Sequence, residues 1–180
     1  KKVTLFKRYL NLKPKKMNNM RRILTLVLSI FVTVSLFGQE VDNKKKIDKM
    51  LELGYFKIDI TEIKPMGRPS KTTRFEFDIT VKDHMLTTEL PYFGKYDTAP
   101  MPGQQIRVEM DNQKVDLQVK YNEKKKRHDV RFKAKDDNDH QTVDFYIQIY
   151  ENGSSTVRLS FVNRDPITFE GDFQFVEQQQ

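Results

Sequence analysis

The sequence predicts a mainly β domain, an antiparallel meander of about eight strands curved into a barrel or sandwich, with one short N-terminal helix. Apolar and polar residues alternate strictly in seven runs, and such alternation gives a strand one buried and one solvent-facing side. The runs cover residues 56–60, 75–81, 115–121, 130–134, 143–149, 157–161 and 167–175. Turn residues separate them, and Asn152-Gly153 is a dipeptide typical of tight hairpins.

The segment before the first strand predicts a helix over residues 39–54. Ile47, Met50 and Leu51 recur at helical spacing and form one apolar face. Gly54 supplies a natural end, because glycine readily adopts the left-handed conformation that terminates helices. We therefore expect this helix to bury its apolar face against the sheet.

A short apolar run precedes the helix. Ile23–Phe37 holds 15 uncharged residues, follows Arg21-Arg22 and ends at Gly38. This pattern is typical of a secretory signal peptide, whereas a membrane-spanning helix needs about 20 apolar residues. The sequence therefore predicts export and cleavage near Gly38, which gives a periplasmic or extracellular protein with no stable membrane span. An uncleaved signal anchor is the alternative.

The first residues do not fit an ordinary signal peptide. They begin with Lys1 rather than methionine, and Met17 or Met20 gives a better-proportioned start before the apolar run. The predicted segments are an over-extended start (1–16), a signal peptide (17–38), an N-terminal helix (39–54), a β-rich domain (55–177) and a tail (178–180).

The charge distribution argues against nucleic-acid binding. The chain has 32 Lys and Arg against 25 Asp and Glu, but nine cations and no acidic residue precede Gly38. The mature part then has 23 cations against 25 anions, a net charge of −2, and lacks the basic excess of nucleic-acid-binding domains. Cysteine is absent, which excludes disulfides, thiol catalysis, zinc–thiolate sites and a lipoprotein-type lipidated cysteine.

One segment breaks the alternation. Residues 90–105 hold three of the seven prolines and three aromatic residues, and long irregular loops in compact domains are often functional. Tyr92, Phe93 and Tyr96 offer large contact area for a partner, although Tyr92 and Phe93 can equally plug one end of a barrel. Arg164 is the fourth candidate binding residue, because its guanidinium can bind a carboxylate or pair within its own turn.

The other polar groups predict no catalytic residue, metal site or cofactor. His84, His128 and His140 each fall in a predicted turn without a catalytic or metal-binding motif. Asp136–Asp139 is rich in possible Ca²⁺ ligands but lacks the glycine and distal glutamate of an EF-hand loop. Lys124–Arg127 is predicted to be a solvated hairpin tip, with contact to an anionic lipid or polysaccharide as the alternative.

Two parts of the chain resemble a known family. Leu90–Tyr96 (LPYFGKY) is followed by Ala99-Pro100, and Glu151–Gly153 is followed by Asn163–Gly171 (NRDPITFEG). This order of motifs resembles the secreted Bacteroidetes proteins of domain of unknown function 4251, over roughly Lys44 to Phe173. The resemblance implies a signal segment, a short charged helix and a β-rich body, and no activity or cofactor. Many members have a lipoprotein-type cysteine, and this chain has none.

Three functional hypotheses follow from the sequence. The first is a non-enzymatic binding module of the cell envelope that engages an unknown protein or glycan through its aromatic and proline-rich loop. The second is a small β-barrel carrier of an apolar ligand, because about eight strands leave room for one such ligand. Many phenylalanines compete for that space. The third is a hydrolase that uses Asp and His side chains from turns.

We expect the protein recovered from an envelope fraction to begin near Gln39, because signal peptidases cleave after small residues at the end of such a run. Intact-mass spectrometry of the native material measures this directly. A mass that retains Ile23–Phe37 would contradict cleavage and indicate a membrane-anchored chain.

Overall fold

The computed structural model describes residues 43–97 and 107–175. The predicted segments at 1–16, 17–38 and 178–180 lie outside these ranges. One helix, α1, runs through residues 43–52 and is followed by Gly54, whose φ of +60° is typical of a helix-terminating glycine. No helix in the described ranges combines the length and apolar character needed to cross a bilayer.

Nine strands follow α1 in the described part of the chain. They are β1 (Phe56–Pro65), β2 (Lys71–Lys82), β3 (Met85–Pro91), β4 (Arg107–Lys114), β5 (Gln118–Asn122), β6 (Arg127–Lys135), β7 (Thr142–Tyr150), β8 (Ser154–Ser160) and β9 (Ile167–Gln174). They form one sheet in the order β4-β3-β2-β1-β9-β8-β7-β6-β5, with every neighbouring pair antiparallel. The sheet curls into a half-barrel. The predicted antiparallel meander with one short helix is confirmed.

The two edge strands are halves of one interrupted strand. β4 and β5 lie at opposite ends of the strand order, although only Val115–Leu117 separate them along the chain. Because directions alternate across an antiparallel sheet of nine strands, these two edge strands run the same way. β4 pairs with β3, whereas β5 pairs with β6. The alternation at 115–121 predicted one strand across this break, but β5 begins at Gln118.

Side chains bridge β4 to the end of β6 across the gap that this interruption leaves. The Gln113 side chain donates to the carbonyl oxygen of Lys135 at 2.6 Å and accepts from its N–H at 3.0 Å. The Asp137 N–H donates to the Glu109 carbonyl at 2.8 Å, and Asp137 Oδ2 accepts from the Asp111 N–H at 2.8 Å. The Gln113 amide thus takes the place of a backbone peptide group and pairs an otherwise open strand edge.

The inward-facing side chains form one hydrophobic core. Ile47 and Leu51 of α1 pack into it at one end of the sheet, as the predicted helix face requires. Aromatic rings occupy its interior, including Phe132 stacked on Phe145 with their centroids 4.7 Å apart. Burial of each such ring stabilises the fold by about 1.5–3 kcal/mol.

Two strands did not show in the sequence pattern. β3 and β4 bury Leu86, Leu90, Val108 and Met110, but Thr88 takes an inward position between the two leucines. Its hydroxyl donates to the Asp78 carbonyl at 2.6 Å, so the polar group is satisfied while buried. A polar residue therefore stands where the alternation requires an apolar one.

The prediction that His128 lies in a turn and Arg127 at a hairpin tip is wrong. β6 begins at Arg127, and both side chains are buried. The preceding turn is a short 3₁₀ segment, Glu123–Lys125, capped by the Asn122 side chain. His84 and His140 do lie in turns, both with positive φ.

Gly171 lies where β9 passes close to β1. A Cβ atom there would overlap the carbonyl oxygen of Asp59 on the paired strand and crowd Ile58. We expect Gly171→Ala to lower the free energy of unfolding by about 1–3 kcal/mol, the usual cost of an extra group in a packed site. Urea unfolding followed by circular dichroism measures this change.

Gly67→Asn is the control for that substitution. Gly67 has open space around the added atom, and asparagine tolerates the left-handed backbone found there. An equal loss of stability in both variants, or no loss in Gly171→Ala, would contradict the close approach of β1 and β9.

Candidate functional site

Four connections meet at one end of the sheet, which we call the loop end. In an antiparallel meander, successive turns alternate between the two ends of the strands. The connections 66–70, 136–141 and 161–166 therefore share an end with the segment that follows β3. That segment is described from Tyr92 to Asp97, and the rest of the irregular loop predicted from the sequence, 98–105, lies outside the described residues.

The segment Tyr92–Asp97 pairs with the connection between β8 and β9. Tyr96 and Arg164 form an antiparallel bridge, although 68 positions separate them in the sequence. The Asp97 N–H donates to the Asn163 carbonyl at 3.0 Å, and the Asp165 N–H donates to the Lys95 carbonyl at 2.9 Å. The two motifs that suggested a family resemblance are therefore neighbours in space.

Arg164 lies at the centre of this contact and forms a buried ion pair with Asp136. Their side chains are 2% and 0% exposed, and Arg164 Nη2 donates to Asp136 Oδ2 at 2.5 Å. Nη1 donates to the Tyr96 hydroxyl at 2.9 Å, and the guanidinium lies 4.1 Å from the centroid of Phe161. Burial lowers the pKa of Arg164, but the hydrogen bonds to Asp136 and Tyr96 outweigh it and raise this pKa above its ordinary value.

Tyr92 packs beside Arg164 and is only 1% exposed. Its hydroxyl donates to the Asp165 carbonyl at 2.8 Å and lies 3.0 Å from the Lys95 carbonyl. Its ring meets those of Tyr96 and Phe161 edge-on, with centroids 5.1 and 5.4 Å apart. Burial raises the pKa of Tyr92 to about 12. We call Tyr92, Tyr96, Asp136, Phe161 and Arg164 the Arg164 cluster.

The structure brings the four predicted binding residues to one place but gives them different exposures. Tyr92 and Arg164 are buried, so they hold the loop and do not present surface to a partner. Tyr92 thus follows the alternative in which it plugs one end of the sheet. Phe93 and Tyr96 are half-buried, and Lys71 Nζ lies 4.2 Å from the Phe93 centroid. Phe93 and Tyr96 remain predicted contact residues.

Exposed apolar side chains lie on the neighbouring connections of the loop end. Val162, two residues before Arg164, is 86% exposed, and Met66 on the connection between β1 and β2 is 60% exposed. Neither residue could be recognised from the sequence, because isolated apolar residues in turns carry no periodic signal. Together with Phe93 and Tyr96 they give the loop end an apolar, partly aromatic surface.

The carboxylates that suggested Ca²⁺ are engaged by the protein itself. Asp136 Oδ1 accepts from the Glu109 N–H at 3.2 Å and from the Asn138 N–H at 3.1 Å, while its second oxygen binds Arg164. Asp139 Oδ1 accepts from the Gln141 N–H at 3.1 Å. Within the described residues no group of three or more His, Cys, Asp or Glu side chains is arranged to hold a metal ion.

The opposite end of the sheet holds a second polar cluster where α1 meets the sheet; its centre, His128, is buried, whereas Asp48 is 47% exposed. His128 is fully buried, and its Nε2 lies 2.6 Å from Asp48 Oδ1 of the helix. The Tyr121 ring packs against the imidazole, and its hydroxyl donates to Glu151, a hydrogen bond that raises the pKa of Tyr121 to about 12. Asn43 of α1 donates to the Glu151 carbonyl at 3.1 Å. These contacts fasten α1 over the core.

Position in the strand was the one sequence signal that pointed to a buried His128. It shares the two-residue period of Val130 and Phe132, which face the core. Its imidazole is fully buried and lies 2.6 Å from Asp48 of the helix. His84 lies at the same end, in the β2–β3 turn beside Gly54, whereas His140 lies in the connection between β6 and β7 at the loop end.

The structure is a curled antiparallel sheet that is covered by a helix at one end and by tethered loops at the other. The chain belongs to the family described as "Domain of unknown function (DUF4251)", whose profile matches residues 39–173. The resemblance noted from the two motifs is therefore confirmed. No curated protein matches the chain.

A solved structure supports the same fold. The chain is similar to a DUF4251 family protein from Bacteroides eggerthii DSM 20697, whose crystal structure was determined at 1.95 Å resolution. The two are 11% identical, with a TM-score of 0.53, over 73% of this chain and 86% of that chain. At this identity the likeness concerns the fold alone.

We expect Arg164→Leu to lower the free energy of unfolding by about 3–5 kcal/mol, because it leaves the Asp136 carboxylate buried without its cation. The double variant Arg164→Leu/Asp136→Asn should lose less than the sum of the two single changes. It removes both charges, and the asparagine oxygen can still accept from the Glu109 N–H. Urea unfolding of the four proteins completes the cycle.

The exposed pair Lys133–Asp144 is the matched control. Its side chains are 71% and 55% exposed, so its removal should change stability by less than about 1 kcal/mol. Additive losses in the Arg164–Asp136 cycle would show that the two charges do not depend on each other.

Proposed function

We propose that the mature chain is an exported, non-enzymatic binding module that contacts a protein partner of the cell envelope through its loop end. The observation that carries this proposal is the Arg164 cluster. In this cluster a buried ion pair and two tyrosines hold the irregular surface segment Tyr92–Asp97 in one conformation.

The segment Tyr92–Asp97 is held in one conformation before any partner binds, which favours affinity. Ordering a free loop on association costs affinity, and a loop fixed beforehand avoids that cost. Here the segment is tied by backbone hydrogen bonds at Asp97 and Asp165 and by the Tyr92 hydroxyl. A buried ion pair contributes little net stability compared with apolar packing, so its use at this end fits a role in positioning.

The chemistry of the surface favours a protein partner. Interface centres are enriched in aromatic residues and methionine and are surrounded by polar groups. Phe93, Tyr96, Val162 and Met66 supply such apolar contacts, and Lys95 and Asp97 are exposed beside them. A protein surface can match both the apolar and the charged parts of this end.

The two other hypotheses have less support. A carrier needs room inside the sheet, but Phe56, Phe145 and Phe169 are almost completely buried in that interior. A hydrolase needs an accessible base beside a nucleophile, and the imidazole of His128 is fully buried, although its partner Asp48 is 47% exposed. Export is supported by the signal-peptide pattern at residues 21–38.

We expect a photo-crosslinking amino acid at position 162 to capture one envelope protein in living cells, because Val162 is 86% exposed at the proposed contact. The same amino acid at position 53 is the matched control, since Leu53 is 43% exposed at the opposite end. Gel electrophoresis and mass spectrometry of the adducts provide the measurement.

Phe93→Ala should then weaken the adduct at position 162 without changing the thermal stability by more than a few degrees. The half-buried Phe93 ring makes an exposed cation–π contact worth about 0.5–1 kcal/mol. Adducts of equal yield at positions 162 and 53, or no adduct at 162, would contradict the proposal. An adduct with the mass of two copies would replace the envelope partner with self-association.

A further inference from the structure

A groove of about 640 Å³ lies on the outward face of the sheet, between the end of the β4–β5 connection and β8. Its lining includes Gln118, Arg131, Tyr146 and Arg158, which come from four different strands. The alternation of the strands points these side chains away from the core. The groove is therefore a surface feature separate from the Arg164 cluster.

The strand register places these four side chains in one row. Gln118 is paired with Arg131, Arg131 with Tyr146, and Tyr146 with Arg158. Arg131 and Arg158 flank Tyr146 at a separation of about 10 Å, which is two strand spacings. The row thus offers an aromatic ring with a guanidinium on each side.

Tyr146 is held in one orientation by hydrogen bonds to its hydroxyl group. The hydroxyl donates to Asp129 Oδ1 at 3.0 Å and accepts from Gln148 Nε2 at 2.9 Å. Arg127 lies within 3.4 Å of the same oxygen and is itself buried. The Arg131 guanidinium lies 4.7 Å from the ring centroid. These hydrogen bonds and the cation–π contact hold the Tyr146 ring in a fixed position on the outer face of the sheet.

Neither guanidinium of the row is paired with a carboxylate among the described residues, although Arg131 contacts the Tyr146 ring. Asp129 pairs with Arg127 at 3.0 Å, and Asp144 pairs with Lys133 at 3.1 Å. Neither Arg131 nor Arg158 forms an ion pair among the described residues. Guanidinium groups bind carboxylates through two parallel hydrogen bonds, a geometry that lysine cannot reproduce.

We infer that this row, which we call the Arg131–Arg158 row, binds a carboxylated polysaccharide, with Arg131 and Arg158 each taking a uronate carboxylate and Tyr146 contacting the sugar between them. Aromatic rings offer the apolar face of a sugar a contact surface. Gln118 and the groove carboxylates Asp116 and Asp144 provide hydrogen-bond partners for hydroxyl groups. This binding is additional to the protein contact proposed for the loop end.

The groove does not suit an acidic peptide or a lipid equally well. A peptide that extends a sheet needs a free strand edge, but Arg131, Tyr146 and Arg158 lie on β6, β7 and β8, which are each paired on both sides; only Gln118 lies on the edge strand β5. The two phenylalanines of the lining, Phe132 and Phe145, are 4% and 2% exposed and face the core. These two rings therefore add little apolar surface for acyl chains or peptide side chains.

Isothermal titration calorimetry of the purified protein with sodium polygalacturonate tests this inference. We expect saturable binding that weakens with added salt, because screening acts on exposed charges. Fully methyl-esterified polygalacturonate should bind at least about tenfold more weakly, because it has the same backbone without the carboxylates. Arg131→Gln and Arg158→Gln should each weaken binding of polygalacturonate by about tenfold or more.

Arg68→Gln is the matched control, because it removes the same charge from an exposed arginine at the loop end. It should leave polygalacturonate binding unchanged, as should the loop-end variant Phe93→Ala. Loss of binding in Arg68→Gln equal to that in Arg158→Gln would overturn the inference, as would equal binding of poly-glutamate or dextran sulfate. Absence of polygalacturonate binding would overturn it without bearing on the loop-end crosslink.

Discussion

The ion pair between Arg164 and Asp136 is the constraint on which the loop end of the sheet depends. Its partners come from two connections, 161–166 and 136–141. The fully buried Asp136 carboxylate depends on Arg164 for its countercharge, while Arg164 also has Asp139 at 3.6 Å. Arg164 also fixes Tyr96, which ties the segment after β3 to the same point. Asp136 extends the constraint to β4 through the Glu109 N–H. One buried pair therefore orders three connections and supports the bridge between β4 and β6.

The two ends of the sheet cover the hydrophobic core with different elements. At one end, α1 covers the core with Ile47 and Leu51 and is fastened through His128 and Asp48. At the other, the Arg164 cluster closes the core with tethered loops. A protein without cysteine has no disulfide to hold such elements, so buried polar contacts and ring packing take that role. The outward side chains remain available for recognition, as in the Arg131–Arg158 row.

The sequence predicted the class of fold and the helix face because both depend on local periodicity. It missed β3, since Thr88 satisfies its hydroxyl group inside the core and interrupts the apolar pattern. It missed β4 because only Val108 and Met110 of that strand are buried, which is too short an alternation to recognise. The sequence also placed Arg127 and His128 in a turn, because their burial depends on partners distant in sequence: Tyr146 and Tyr150 for Arg127, and Asp48 for His128. The sequence named Tyr92, Phe93, Tyr96 and Arg164 as candidate residues, but the burial of Tyr92 and Arg164 depends on contacts across 73 and 68 positions that no local pattern contains.

The pairing of β1 with β9 has a consequence for how the chain reaches its native state. This ladder pairs Ile58 with Phe173 and Lys64 with Thr168. The strands that come first and last along the described chain, β1 and β9, are therefore neighbours near the middle of the sheet. Contacts between residues this far apart form late, because closing the intervening chain costs entropy before any contact is gained. A polypeptide that emerges amino end first from the ribosome cannot complete this ladder until its last strand has emerged. The middle of the sheet is therefore assembled only when the carboxyl-terminal strand is available.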